Sequence, residues 1–492
     1  MPIDNVTGLF TVGNITLLLY IINFIIAVGI IFFDKKTPVA TLAWLMILFL
    51  VPIVGLVLYI IFSQHIARLK IYKLSDQEMQ IGLETQKLQA EMLEENPRFH
   101  YNSTIAKWKE LAEFNLSYSN SLITHNDEIE LITDGTKWFD MLLEDIENAK
   151  ESINVNFFVV KDDFVGKKFI KALTKKAKEG VEVRLLMDAL GSKGITNRKL
   201  KEFEEAGGKY AFFFKPKIRH IYLRINYRNH RKIAVIDKKV AYTGGFNIAK
   251  EYLGAKKKFG YWRDSAIRIT GTAVAMLNMN FLLDWDYARG ESTDLLEEVY
   301  YKDLNSEFEG DILAQIVSCG PNTDKEQIKM AMMKMIVNAK ESIYIQTPYF
   351  VPDESIINAL ILAANSGVEI NIMIPCMPDH PFVYRTTLLN AGRLIENGAN
   401  IYIYENGFLH AKTLIVDDEV ATIGSCNFDI RSFRLNFETN AFVYDERFAK
   451  MMVDQFHEDM KLSRRYTAED RANLSLYERM AESISRLLTE VL

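Results

Sequence analysis

The sequence predicts a duplicated α/β protein carried behind an apolar helical hairpin, and three observations predict it. The segment HRKIAVIDKKVAYTGGFN, residues 230–247, returns as HAKTLIVDDEVATIGSCN, residues 410–427. The flanking chain repeats in step: AKESINVNFFVV at Ala149 is echoed by AKESIYIQTPYF at Ala339, and GVEVRLLMD at Gly180 by GVEINIMIP at Gly367. Finally, two uncharged apolar runs near the start, residues 15–33 and 39–62, each approach the ~20 residues a bilayer helix needs.

In chain order, residues 1–64 are expected to form a two-helix membrane hairpin. The first run lacks the basic flank and small-residue cleavage site of a signal peptide, and a second run follows the short DKKTP turn. Arg68, Lys70 and Lys73 after the second run outnumber Lys35 and Lys36 in the turn, a bias that puts the large domain on the cytoplasmic side. Residues 65–125 are rich in charged, helix-favouring side chains and read as a helical connector. From there the texture is short apolar runs alternating with amphipathic helices. It divides into repeats at 126–310 and 311–492, each reading helix, strand, helix, strand, helix, strand and then a histidine strand. The second repeat ends in an amphipathic tail from Thr467.

Composition narrows the function. A chain of 492 residues with a formal charge of −6 lacks the overall basicity of a general nucleic-acid binder. Three cysteines without CxxC spacing suggest neither a disulfide framework nor a zinc site. No metal-ligand constellation is visible, and no dinucleotide or nucleotide-binding loop, so no cofactor is expected.

The chemistry is expected in the duplicated motif. Strand periodicity places His230 with Lys232, and His410 with Lys412, on a common face, so two imidazole–ammonium pairs can aim at one point. An imidazole is a nucleophile when neutral and an acid when protonated, and a facing pair can divide those tasks near neutral pH. Asn247 and Asn427 follow glycine turns and can donate amide N–H groups to the same centre. Ser425 is a weaker hydroxyl donor, since its counterpart is Gly245. Asp237 and Asp417 stand at the far ends of the strands, where a turn-holding role is expected.

These paired HxK(x)4D motifs, with KTPVATLAWLMILFLVPIVGLVLYIIF, QTPYFVPDESI, IPCMPDH and the SRRYTAED tail, resemble the bacterial cardiolipin synthases of the phospholipase D superfamily. The resemblance implies two phospholipase D-like α/β sandwich repeats packed face to face with the site at their seam. It implies a phosphohistidine-type intermediate, with His230 as nucleophile and His410 as general acid, and the motif residues Lys232, Asp237, Lys412 and Asp417 as part of the catalytic set. Lys232, Asn247, Lys412 and Asn427 would hold phosphate. Asp264 in YWRDS and Glu438 in NFE match the acidic positions that orient the histidines, each 34 or 28 residues beyond the histidine of its own repeat. The implied reaction joins two phosphatidylglycerol molecules into cardiolipin and glycerol in the cell membrane. Other alcohol acceptors, hydrolysis, or a membrane-anchored nuclease share the same motifs; a non-catalytic lipid-binding scaffold is the reading of another class.

Two further features bear on substrate. The stretch 215–232, KPKIRHIYLRINYRNHRK, interleaves Lys and Arg with Ile, Tyr and Leu, and reads as an entrance for anionic lipid with Tyr222 and Tyr227 at the interface. The chain departs from the resemblance at Asn156, where many relatives carry an acidic residue.

Overall fold

The computed structural model describes residues 12–33, 38–62, 71–72, 74–95, 103–215, 226–295 and 310–489. The hairpin region holds a helix of 22 residues, Val12–Phe33. The run expected as one helix over 39–62 is instead two, Pro38–Leu50 and Pro52–Phe62. Pro52 causes the break, because it has no N–H to give the carbonyl four residues back. That carbonyl, Leu48 O, accepts a 2.8 Å hydrogen bond from Asn23 Nδ2 on the first helix, and the same amide reaches Pro52 O at 3.2 Å. A buried polar side chain thus replaces the donor that proline removes. Among the described residues no helix is long and apolar enough to cross a membrane.

The connector contributes helices Asp76–Glu95, Ser103–Lys107 and Lys109–Ser119. Gln89 docks the first of them by exchanging two hydrogen bonds with the backbone of Ile123 (2.8 and 2.9 Å), where the strand Ile123–Ile132 begins.

Each repeat then runs as its sequence pattern reads. In the first, helices Gly135–Asn148, Phe164–Lys178 and Lys201–Glu205 alternate with strands Ser152–Phe157, Glu182–Asp188 and Lys209–Phe213, followed by Lys232–Ile236. In the second, helices Gln327–Asn338, Glu354–Asn365 and Pro381–Ile395 alternate with Ser342–Gln346, Glu369–Pro375 and Asn400–Tyr404, followed by Thr413–Val416. The αβ units give parallel neighbours and the histidine strands add antiparallel ones. Both halves belong to one 16-stranded sheet, joined where Ile123–Ile132 pairs antiparallel with Ile312–Cys319 at the centre. The repeats are joined along this pair, and away from it the strands Val420–Gly424 and Asn436–Tyr444 of the second also approach Val240–Gly244 and Ala266–Gly271 of the first. The apolar strand residues, such as Ile153, Val155, Ile343 and Ile345, are wholly buried beneath the flanking helices.

The two motif aspartates anchor hairpin turns. Asp237 and Lys238 have φ of 51° and 54°, and Asp417 and Asp418 both have 55°. Two successive positive-φ residues are the requirement of a type I′ hairpin, and aspartate tolerates that region better than most residues. The Asp237 carboxylate accepts the N–H groups of Lys150, Glu151 and Ser152 at 2.7 to 2.9 Å, and Asp417 those of Lys340, Glu341 and Ser342. The repeated AKES phrase is thus a backbone nest for each carboxylate. Burial alone would raise the Asp237 carboxyl, but the three N–H donors prevail and hold it below its ordinary value.

Candidate active site

Two short parallel pairings across the seam create the site. Arg228–Asn229 of the first repeat pairs with Asn436–Phe437 of the second, and Phe408–Leu409 of the second pairs with Trp262–Arg263 of the first. The register sets Asn229 opposite Phe437 and Leu409 opposite Arg263. The next residue on each strand is therefore a histidine on one side and a carboxylate on the other. His230 N donates to Phe437 O at 2.9 Å, and His410 N to Arg263 O at 2.7 Å.

The side chains complete a crossed arrangement. His230 Nδ1 lies 2.9 Å from Glu438, and His410 Nδ1 lies 2.5 Å from Asp264. Each carboxylate orients the histidine of the opposite repeat rather than the one 34 or 28 residues before it in its own. With Nδ1 bound, Nε2 of each ring is the atom left for chemistry. Lys232 Nζ donates to His230 O at 2.5 Å, while Lys412 Nζ donates to His410 O and lies 2.9 Å from His410 Nδ1. Phe158 stands against the His230 ring at 4.9 Å between centroids, and Trp262 and Tyr252 against His410 at 5.1 and 5.7 Å. These rings enclose the seam in low dielectric.

Burial governs the protonation states. It lowers His230 from its ordinary value despite Glu438, and it lowers His410, with help from Lys412, to about 4. Burial also brings Lys232 down to about 7 and Lys412 to about 8, against the pull of Glu438 and Asp264. Asp264 and Glu438 would rise by burial, but Lys412 with His410, and His230 with Lys232, hold each below its ordinary value. At neutral pH the site contains two neutral imidazoles, two carboxylates, and two ammonium groups close to losing their protons. Their formal charges cancel, and because each carboxylate is engaged by an imidazole, the two ammonium groups are the charges left to meet an arriving anion.

The remaining sequence candidates are placed as follows. Asn247 Nδ2 donates to the Tyr252 hydroxyl at 2.6 Å, and its Oδ1 accepts from Val159 N at 3.0 Å. Asn427 Nδ2 donates to the Ser432 hydroxyl at 3.2 Å, and among the described residues its buried Oδ1 has no partner. The Ser425 hydroxyl donates to Glu438 rather than facing the centre. At the matching place in the first repeat, a Cβ on Gly245 would lie 1.9 Å from Asp264 Oδ1, so the shorter carboxylate is held by close backbone approach.

Of the basic stretch before His230, Lys215 is exposed and residues 226–229 are buried. Residues 216–225, including Tyr222, lie outside the described residues. Tyr227, Arg228, Arg231 and Lys232 are buried, which corrects the interfacial place expected for Tyr227. Arg231 is held by Asp284 at 2.7 Å and by the Tyr72 hydroxyl at 3.0 Å, and Tyr72 itself donates to Asp284 at 2.6 Å. Asn156 and Asn229 both donate to the other oxygen of Asp284 (3.2 and 2.8 Å). An acidic side chain at 156 would set a second carboxylate beside Asp284, so asparagine suits this network.

The second repeat has an analogous buried cluster, in which Asp459 binds Arg263 at 2.7 Å and Gln346 at 2.8 Å. Sequence reasoning missed both clusters. Asp284 and Asp459 stand at similar offsets after Asp264 and Glu438, a regularity that could have exposed them. The arginines broke the pattern, because Arg231 is matched by Ala411 and Arg263 by Phe437.

Comparison with known proteins places this geometry in a family. The description "Cardiolipin synthase, PLD-like domain" matches residues 142–275 and 332–460, and "Phospholipase_D-nuclease N-terminal" matches residues 21–64. The chain is 45% identical to the major cardiolipin synthase ClsA of Bacillus subtilis, over 96% of this chain and 98% of that protein. It is 44% identical to cardiolipin synthase 2 of Staphylococcus epidermidis, over 96% of each. Among solved structures, phosphatidylserine synthase of Haemophilus influenzae superposes with a TM-score of 0.60, covering 79% of this chain and all of that one, at 15% identity. That likeness is one of fold.

Proposed function

The chain belongs to the cardiolipin synthase family of phospholipase D-like enzymes, and from this premise we propose that it transfers a phosphatidyl group between two phosphatidylglycerol molecules, releasing glycerol and forming cardiolipin. The observation that carries the reading is the crossed pair of imidazoles, each fixed through Nδ1 by a carboxylate from the other repeat.

In this reading His230 Nε2 attacks phosphorus, and the bond from phosphorus to the departing glycerol oxygen breaks. His410 gives that oxygen its proton. His410 then takes the proton from the primary hydroxyl of a second phosphatidylglycerol, whose oxygen displaces His230 from phosphorus. Lys232 and Lys412 offset the charge on the non-bridging oxygens, and Asn247 and Asn427 add amide donors when substrate replaces their present hydroxyl partners. Asp237 and Asp417 act through the turns they hold. Burial first and the ammonium charges second keep the imidazoles neutral, and the arriving phosphodiester anion opposes the ammonium part, so binding favours the one imidazolium that the first step consumes.

The N-terminal helices are proposed to hold the enzyme in the cell membrane as a hairpin, with the catalytic repeats on the cytoplasmic side. Support comes from large apolar side chains left exposed on them, among them Leu18, Phe24, Ile25, Phe32, Leu42 and Leu50. Such a surface is stable in lipid and costly in water.

The test is product analysis after mixing purified full-length protein with vesicles containing radiolabelled phosphatidylglycerol. Labelled cardiolipin with free glycerol is expected. Phosphatidic acid as the sole product would replace transfer by hydrolysis, and an added alcohol appearing in the lipid product in preference to phosphatidylglycerol would change the acceptor.

A pH profile tests the charge assignments. We expect kcat/KM to rise with pH as the nucleophilic imidazole loses its proton, below the ordinary histidine value of about 6.5. It should fall again in two stages. First His410, at about 4 before substrate binds, loses the proton that the leaving oxygen needs. Then Lys232, at about 7, and Lys412, at about 8, give up theirs. Lys232→Arg fixes one charge and should leave the second stage to Lys412 alone, moving it upward. An unmoved second stage would assign it to another group.

A further inference from the structure

The C-terminal helix Leu476–Thr489 is packed inside out. Among its described side chains the buried ones are polar: Glu482 is 4% exposed and Ser485 1%. Glu482 receives both of its 2.8 Å contacts from Arg471, and the helix lies along Pro381–Ile395. The large apolar side chains Leu476, Tyr477, Met480 and Ile484 face away, the first two 75% and 71% exposed and the others more than half. At 3.6 residues per turn these four side chains share an arc of about 100°, roughly opposite the arc of Glu482 and Ser485. A helix that turns its polar side to the protein and its apolar side outward is built to meet a second apolar phase.

The patch continues toward the catalytic seam. Arg385 lies over the Tyr477 ring at 5.6 Å, and Phe382, one turn before it on Pro381–Ile395, is also exposed. That helix begins directly after Asp379, which accepts the Tyr349 hydroxyl and whose charge acts on Lys412. At about 100° per residue Arg479 flanks the Leu476 edge of the apolar arc, and Arg385 lies over its Tyr477. Apolar side chains with tyrosine at the margin and arginines beside them form the pattern of a helix lying in a lipid interface, where the cations meet anionic head groups.

We infer that the Leu476–Thr489 helix and Phe382 dock on an anionic bilayer surface and hold the catalytic seam against it, a second membrane contact separate from the N-terminal hairpin. A second copy of the chain fits less well, because a twofold interface on this arc would bring the arginines of one copy against those of the other. The inference rests on the proposed membrane-lipid substrate, but its test can be read without turnover.

Full-length Met480→Cys, with Cys376 replaced by Ser, is labelled with an environment-sensitive fluorophore and reconstituted into vesicles of phosphatidylcholine and phosphatidylglycerol. Quenching by bromolipids at least threefold stronger than by aqueous iodide is expected, and it should weaken when phosphatidylglycerol is omitted. Dominant iodide quenching would overturn the inference, as would energy transfer between labelled copies without lipid quenching. Met480→Asp with Ile484→Asp should lower turnover of vesicle lipid about tenfold while leaving turnover in detergent micelles unchanged. An equal loss in both would mark the helix as structural. Should wild-type protein form no cardiolipin while the lipid quenching stands, the substrate reading fails and the docking face survives.

Discussion

Glu438→Gln should lower kcat by about 10⁴-fold, roughly 5 kcal/mol of transition-state stabilisation, and it should do so through the histidine of the other repeat. Gln keeps the shape of Glu438, but its single carbonyl oxygen can accept from the Ser425 hydroxyl or from Asn436 and not from both. It cannot hold His230 in the tautomer that leaves Nε2 free, nor stabilise positive charge on the ring. Since Glu438 raises the His230 value against burial, its neutralisation should lower that value further. Asp264→Asn should act in the same way on His410, whose pairing it supplies. NMR titration of the imidazole Cε1–H signals separates the two, with His230→Ala and His410→Ala providing assignments. The crossed site requires Glu438→Gln to move the His230 resonance and leave that of His410 largely in place. The reverse pattern would mean that each repeat supplies its own carboxylate and that the seam pairings do not persist in solution. Retention of secondary structure and melting temperature should accompany the loss, because the exchange is isosteric.

The residues of this site were far more legible in the sequence than their connections. The duplicated His, Lys, Asp and Asn positions could be read because each motif is local: a strand of four or five residues, a turn and a return strand span the eighteen residues from His to Asn. The same locality makes the roles of Asp237 and Asp417 readable, since a carboxylate at a two-residue turn has few other uses. The crossed pairing of histidine and carboxylate was not legible. It depends on two-residue parallel strands, Arg228–Asn229 with Asn436–Phe437 and Phe408–Leu409 with Trp262–Arg263, which are too short to leave a periodic signal. Counting along the chain favours the carboxylate of the same repeat, whereas the register brings in the other. Charge misled in a related way. Arg228 and Arg231 read as a surface patch because arginine is seldom buried, but Asp188 and Asp284 lie within reach to compensate them. The break at Pro52 was visible in principle, but the unbroken hydropathy around it concealed it. Its repair by Asn23 is a tertiary contact that no local pattern announces.

Asp284→Ala should be the most destabilising single change near the site, costing about 3–5 kcal/mol. Arg231 is 3% exposed and Asp284 wholly buried, so removing the carboxylate strands a guanidinium that cannot give up its charge. Burial works against the Arg231 cation, and Asp284 and the Tyr72 hydroxyl are what raise its value despite that. The consequence reaches catalysis, because Arg231 lies between His230 and Lys232 and its Nε also donates to Glu438 O at 3.3 Å. Loss of the pair should therefore release the strand that carries the nucleophile as well as lower the melting temperature. Replacing both partners, as Arg231→Met with Asp284→Leu, removes the stranded charge and should recover most of the stability. The double-mutant cycle, read by chemical denaturation in detergent, should give a coupling of at least about 2 kcal/mol. A coupling near zero would show that Arg231 finds another counter-charge or water. Tyr72→Phe removes one hydroxyl from the same cluster and should cost about 1–2 kcal/mol. It also cuts the hydrogen bonds by which the chain just beyond the N-terminal hairpin grips the catalytic strand. A fall in turnover larger than that stability loss explains would make Tyr72 the link through which the membrane-proximal segment positions His230.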